Sequence, residues 1–148
     1  MEAVILTQAQ RRPSERSLSR PVQGSVVSIA GREIGPHQPP YIVAELSCNH
    51  GGSREKAKRL IRAAREAGAD AVKLQTYRPD ELTTPEHPEL WALYEKAQTP
   101  REWHRELFDY AHEIGITIFS SAFSIEGVNF LQELGAPAIK IASAEIGN

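Results

Sequence analysis

Two lysines and a few oxygen-bearing side chains carry the chemistry that this sequence could do. In Ala71-Val-Lys-Leu-Gln-Thr76, Lys73 and Gln75 lie two residues apart, so on a β-strand they share one face while Val72 and Leu74 share the other. A strand set this close to helices is covered on both sides, and a covered ammonium is costly unless an anion meets it. Lys140, in Ala138-Ile-Lys-Ile-Ala142, repeats the pattern. Glu45 ends the apolar run from Tyr41, and Gln75, Ser121 and Ser143 fall at or just beyond the ends of comparable runs. Two ammonium groups with hydroxyl and amide donors at strand ends suit one anionic ligand. Blander readings stand beside this one. Lys73 could snorkel to water, Glu45 could pair with Lys73 as structure, and single serines cap turns. His50 has no second histidine or carboxylate at metal-ligand spacing, so a loop histidine bonded to backbone or sugar is expected. Cys48 reads as a packed thiol without a visible activating neighbour.

The elements that must position these groups can be read along the chain. Ser25–Ile34 has a turn signal at Ala30-Gly31-Arg32 and predicts a hairpin, which Pro36, Pro39 and Pro40 stop. Tyr41–Glu45 is the first strand of the main body, followed by a polar loop through Gly52. Ser53 caps a helix with apolar positions at Ala57, Leu60, Ile61 and Ala64, ended by Gly68. A second strand, Asp70–Gln75, leads into a long proline-broken connection with a short helix at Leu90–Lys96. Thr99-Pro-Arg-Glu102 has a capping-box pattern with proline at the first helical position, ahead of Trp103, Leu107, Tyr110 and Ile114. Strand Ile116–Ser121, a helix capped by Ser124 and closed at Gly135, and strand Ala138–Ala142 complete the series.

The order β-α-β-α-β-α-β with short helix-to-strand turns is that of right-handed βαβ units on a parallel sheet. A doubly wound sheet and half of a (β/α)8 barrel both fit, and both place ligands at the C-terminal ends of strands. The first strand-to-helix loop lacks Gly-x-Gly-x-x-Gly, so a dinucleotide fold has no support. Lysines on two inward-facing strands suit the barrel. A barrel needs about 250 residues, however; on that reading the chain is its N-terminal half, with the first and fourth strands as open edges.

Bulk properties narrow the function classes. With 148 residues, 41% hydrophobic and 24% charged, the chain has an ordinary globular composition, and its net charge of −2 gives no footprint for nucleic acid or an anionic membrane. No stretch approaches the roughly 20 apolar residues of a membrane span. One cysteine cannot form an internal disulfide, which favours a reducing compartment, and cytoplasm is expected. Residues 1–23 read as a flexible, locally basic tail, and 24–148 as the folded part.

Four stretches together resemble the sialic acid synthases, the phosphoenolpyruvate-dependent makers of nonulosonic acids. They are Ala44-Glu-Leu-Ser-Cys-Asn-His50, Ala67-Gly-Ala-Asp-Ala-Val-Lys-Leu-Gln-Thr76, Ile118-Phe-Ser-Ser-Ala-Phe123 and Ile139-Lys-Ile-Ala-Ser-Ala-Glu145, in the family's order. Leu93–His104 is similar to the pseudaminic acid branch. The resemblance implies the N-terminal half of the barrel of an enzyme that condenses phosphoenolpyruvate with an amino-sugar aldehyde and releases phosphate. It places Lys73, Gln75, Ser121, Lys140 and Ser143 against phosphoenolpyruvate and Glu45 and Glu145 by the reacting carbons and the sugar, with Asn49 and His50 on the substrate side. It further implies a divalent metal, manganese or magnesium, with ligands outside this chain, a C-terminal antifreeze-like domain and a homodimer. Alternatives are an N-acetylneuraminate or legionaminate synthase, another phosphoenolpyruvate-condensing barrel, or a non-catalytic half-barrel that needs a partner polypeptide.

Overall fold

The computed structural model describes residues 25–147 and the backbone of Ala3–Ile5. The rest of the expected flexible tail lies outside the described residues. Strand β1, Ala3–Ile5, is followed by the hairpin β2, Val27–Ile29, and β3, Arg32–Ile34. The hairpin turns on Ala30 and Gly31, both at positive φ (49° and 83°), as a two-residue turn between twisted strands requires. The main body then runs β4 (Val43–Ser47), α1 (Arg54–Glu66), β5 (Ala71–Thr76), α2 (Pro88–Ala97), α3 (Arg101–Glu113), β6 (Thr117–Ala122), α4 (Ile125–Glu133) and β7 (Ile139–Ile141). Each main-body strand lies within two residues of its expected limits, and the capping serines act as expected. Ser53 accepts from the Lys56 amide and Ser124 from the Gly127 amide.

Pairing order decides between the two architectures. Strands β4, β5, β6 and β7 are parallel and pair in chain order. The apolar positions of α1, α3 and α4 pack on one face of that sheet, against Val72, Leu74, Ile118 and Ile139. Sequential parallel strands with helices on a single face are the (β/α)8 arrangement; a doubly wound sheet reverses its order and is covered on both faces. The fold class is therefore α/β, the N-terminal half of a (β/α)8 barrel preceded by a hairpin.

The hairpin closes the bottom of the inner face. Ile29, Ile34 and Tyr41 pack on Ala71, Phe119 and Ala138. Arg32 pairs with Asp70, donates to the Pro40 carbonyl at 3.0 Å and lies over the Tyr41 ring. The edges differ from expectation. β4 has no partner on its outer side among the described residues, and Val43 at its start and Ile42 just before it are exposed. β7, however, is not an open edge, because β1 pairs with it antiparallel with Val4 opposite Lys140.

Candidate active site

Parallel register gathers the inner-face side chains into rows. Glu45 pairs with Lys73, Gln75 with Ser121, and Ser121 with Lys140. Because alternate residues share a face, Glu45, Lys73, Gln75, Ser121 and Lys140 all stand on the side of the sheet away from the helices. They lie toward the strands' C-terminal ends, above the floor made by the hairpin.

Lys73 is the centre of the row and is only 8% exposed. Its ammonium forms an ion pair with Glu45 Oε2 and donates to Ser121 Oγ at 3.5 Å. Ser121 itself is buried. Glu45 is 45% exposed at its side chain, yet its other oxygen, Oε1, accepts from the Ser47 amide at 3.0 Å and the Ser47 hydroxyl at 2.8 Å. An aliphatic residue at position 73 would need none of this. The carboxylate and the hydroxyl supply the partners that a covered ammonium requires.

The remaining expected site residues are placed differently. Ser143 is exposed and Asn49 lies on the exposed loop after β4. Glu145 lies beyond the strand that carries Lys140. β7 ends at Ile141, the chain tightens into a 3-10 turn at Ser143–Glu145, and Glu145 lines a groove of about 390 Å³ with Ala122, Ser124, Ile125 and Ile141 beside α4. His50 departs from the row. Its Nδ1 accepts from the Gly52 amide at 3.0 Å, which assigns the proton to Nε2, and that nitrogen contacts Thr99 Oγ1 at 3.1 Å. The ring packs edge-on to Trp103 of α3. With both nitrogens bonded and 2% exposure, His50 anchors its loop to the helix layer. Burial, and secondarily Lys56, hold its pKa below the ordinary value.

That contact also explains why the capping box at Thr99–Glu102 does not form. The Thr99 hydroxyl is turned to His50, and Pro100 sits at the N-cap of α3 with no side-chain bond. Cys48 is the packed thiol expected. Burial pushes its pKa up, and the Tyr77 phenol beside it is raised for the same reason.

Two buried polar groups were not legible as such in the sequence. His104 of α3 is fully buried; its Nδ1 donates to the Pro100 carbonyl at 3.0 Å and its Nε2 accepts from Thr76 Oγ1 at 2.8 Å, with Ser120 Oγ a further 2.7 Å from Thr76. This chain fixes the outer face of β5 and β6 directly behind the row. Glu81, in a 3-10 turn at Pro79–Glu81, has a side chain 5% exposed and accepts from the Arg78 amide at 3.0 Å and from Ser124 Oγ at 2.7 Å. It ties the loop after β5 to the cap of α4. A serine followed by an acidic residue marks a cap locally, but no local signal links positions 81 and 124.

The chain is 48% identical over 118 residues to the pseudaminic acid synthase of Campylobacter jejuni, covering 71% of this chain and 34% of that protein. It is 47% identical over 122 residues to the pseudaminic acid synthase of Helicobacter pylori, covering 74% and 36%. Among solved structures, an N-acetylneuraminic acid synthetase from Leptospira borgpetersenii, determined with citrate, superposes with a TM-score of 0.72 at 29% identity, over 76% of this chain and 39% of that one. The chain thus spans about a third of the length of the curated relatives it matches. The NeuB family profile matches residues 60–148, more than half of the sequence and including Lys73, Gln75, Ser121 and Lys140, and the chain belongs to the NeuB family.

Proposed function

We propose that residues 24–148 form the N-terminal part of a barrel that condenses phosphoenolpyruvate with the open-chain aldehyde of an amino sugar, with release of phosphate. The product is a nonulosonic acid of the pseudaminic acid type. The observation that carries this reading is the row of Glu45, Lys73, Gln75, Ser121 and Lys140 on one face of a parallel sheet. Phosphoenolpyruvate presents a phosphate and a carboxylate; Lys73 and Lys140 neutralise them, and Gln75 and Ser121 orient them by hydrogen bonds. Ser143 follows on the turn beyond β7 and adds a hydroxyl. Glu45 stands over Lys73 at the mouth, where it orients the sugar or moves a proton as carbon–carbon bond formation changes the charge of the reacting groups. Glu145 ends the same turn, on the groove beside α4, and faces the sugar from there. Identity of 47–48% to two pseudaminic acid synthases supports that branch.

A divalent metal, manganese or magnesium, belongs to the reading for the longer enzyme. Among the described residues no three His, Cys, Asp or Glu side chains converge as a ligand set, and His50 has both nitrogens engaged. The side chains described here do not fit that role, and no step is assigned to a metal. Homodimerisation and a cytoplasmic location complete the proposal; among the described residues no helix is long and apolar enough to cross a membrane. The test supplies the full-length protein with phosphoenolpyruvate, manganese and a panel of amino-sugar aldehydes and follows phosphate. Acceptor-dependent release is expected, and absence of release with every acceptor refutes the reading.

A further inference from the structure

Ser47 is the point where the backbone of the site departs from ordinary geometry. It ends β4 in the left-handed region, at φ 47°, a conformation that residues other than glycine rarely adopt. The register of β4 on β5 also breaks there, between Glu45 and Ser47. The consequence is local and specific. The bulge turns the Ser47 amide and hydroxyl toward the same atom, Glu45 Oε1, at 3.0 and 2.8 Å. Glu45 Oε2 pairs with Lys73. Packing does not hold this carboxylate, since nearly half of the side chain is exposed, and an exposed glutamate otherwise samples many rotamers.

We propose that Ser47 is a positioning residue: the left-handed bulge presents its amide and hydroxyl together so that the Glu45 carboxylate is held over Lys73 at the mouth of the site. The inference rests on the proposed function for what Glu45 does, but not for how Glu45 is held. Unusual backbone persists at sites where the geometry it produces is needed. A glycine at position 47 would accept the positive φ and keep the amide donor, so Ser47→Gly removes the hydroxyl alone and relieves the backbone. Ser47→Ala removes the hydroxyl and leaves the backbone constraint in place.

The experiment follows the Glu45 carboxyl carbon by NMR across a pH titration in the parent chain, S47G and S47A, with urea unfolding of each. Losing one donor to the ionised form should move the Glu45 midpoint upward by about 0.5–1 pH unit in both variants. S47G should unfold at a urea concentration equal to or above that of the parent. An unchanged midpoint in S47G overturns the proposal. A clear loss of stability in S47G also overturns it, because Ser47 would then be needed for the fold rather than for Glu45. Titration calorimetry with phosphoenolpyruvate keeps the two readings apart. A shifted Glu45 midpoint in a protein that does not take up phosphoenolpyruvate would sustain the positioning role while removing the substrate.

Discussion

Replacing Lys73 with methionine is expected to leave the fold as stable as before or more so, while removing most of the affinity for an anion. Methionine keeps the unbranched stem and nearly the volume of the side chain and discards the charge. Exchanging buried ionic groups for apolar ones of similar size is often neutral, or stabilising by about 1–4 kcal/mol, provided that no charged partner is stranded. Glu45 would not be stranded, because its side chain is 45% exposed and keeps both donors of Ser47. The same exposure limits what the ion pair contributes, to about 0–1 kcal/mol. The contact to Ser121 at 3.5 Å is at the limit of a hydrogen bond and adds little. Desolvation of a lysine that is 8% exposed therefore offsets the pair, and urea unfolding should show a change between about 0 and +2 kcal/mol. Binding should move the other way. A hydrogen bond to a charged group contributes about 1.5–3 kcal/mol, or roughly 10–150-fold in the Kd for phosphoenolpyruvate measured by calorimetry. Glu45→Gln is the control for the stability arm. It leaves a buried ammonium facing a neutral amide and should lower stability by about 1–3 kcal/mol. If Lys73→Met lost more than about 2 kcal/mol of stability with binding unchanged, the ammonium would be a structural element and the reasoning would fail.

Two further outcomes concern the groups that support the site. Burial, the largest effect, holds the pKa of His104 below 6.5 in the folded chain, and His50 is lowered likewise. The unfolded chain therefore binds more protons as the medium acidifies, so stability should be level above about pH 6.5 and fall below it. Urea midpoints across pH 5–8 measure this, and a stability that rises on acidification from pH 6.5 contradicts the buried neutral rings. Glu81→Gln places an amide nitrogen against either the Arg78 amide or the Ser124 hydroxyl, both donors at 3.0 and 2.7 Å. A loss of about 1.5–3 kcal/mol is expected, equivalent to several degrees in Tm by calorimetry, and a variant within about 0.5 kcal/mol of the parent would show that the carboxylate does not tie the two loops.

The features legible in advance share one property: each is settled within a few residues along the chain. Alternation placed Lys73 and Gln75 on one face. The 3.6-residue period placed Ala57, Ile61 and Ala64 on the buried side of α1. Ser53 and Ser124 cap their helices through the amides three residues on. Where a local signal met a distant competitor, the distant one won. Thr99 has the sequence of a cap but bonds His50, 49 residues away. His104 reads as one more polar residue on a helix, yet it bonds Thr76, 28 residues earlier, and is fully buried. Glu145, which the resemblance puts by the reacting carbons and the sugar, stands on the tight turn at Ser143–Glu145 and lines a groove beside α4, a placement that no local spacing announces.

The sequence by itself determined the alternation of strands and helices, the faces of each, and the candidate chemistry of two lysines with a carboxylate, an amide and hydroxyls. Period, caps and turn residues act over one or two turns of chain, so they can be read without knowing what lies opposite. Only the tertiary structure decided that all the helices packed on the sheet cover one face, that β1 pairs with β7, and that Ser47 bends back to hold Glu45 over Lys73. Those outcomes depend on which strand edge meets which and on a bulge that shifts register by one residue. Hydrogen-bond partners chosen across space, rather than spacing along the chain, fix them.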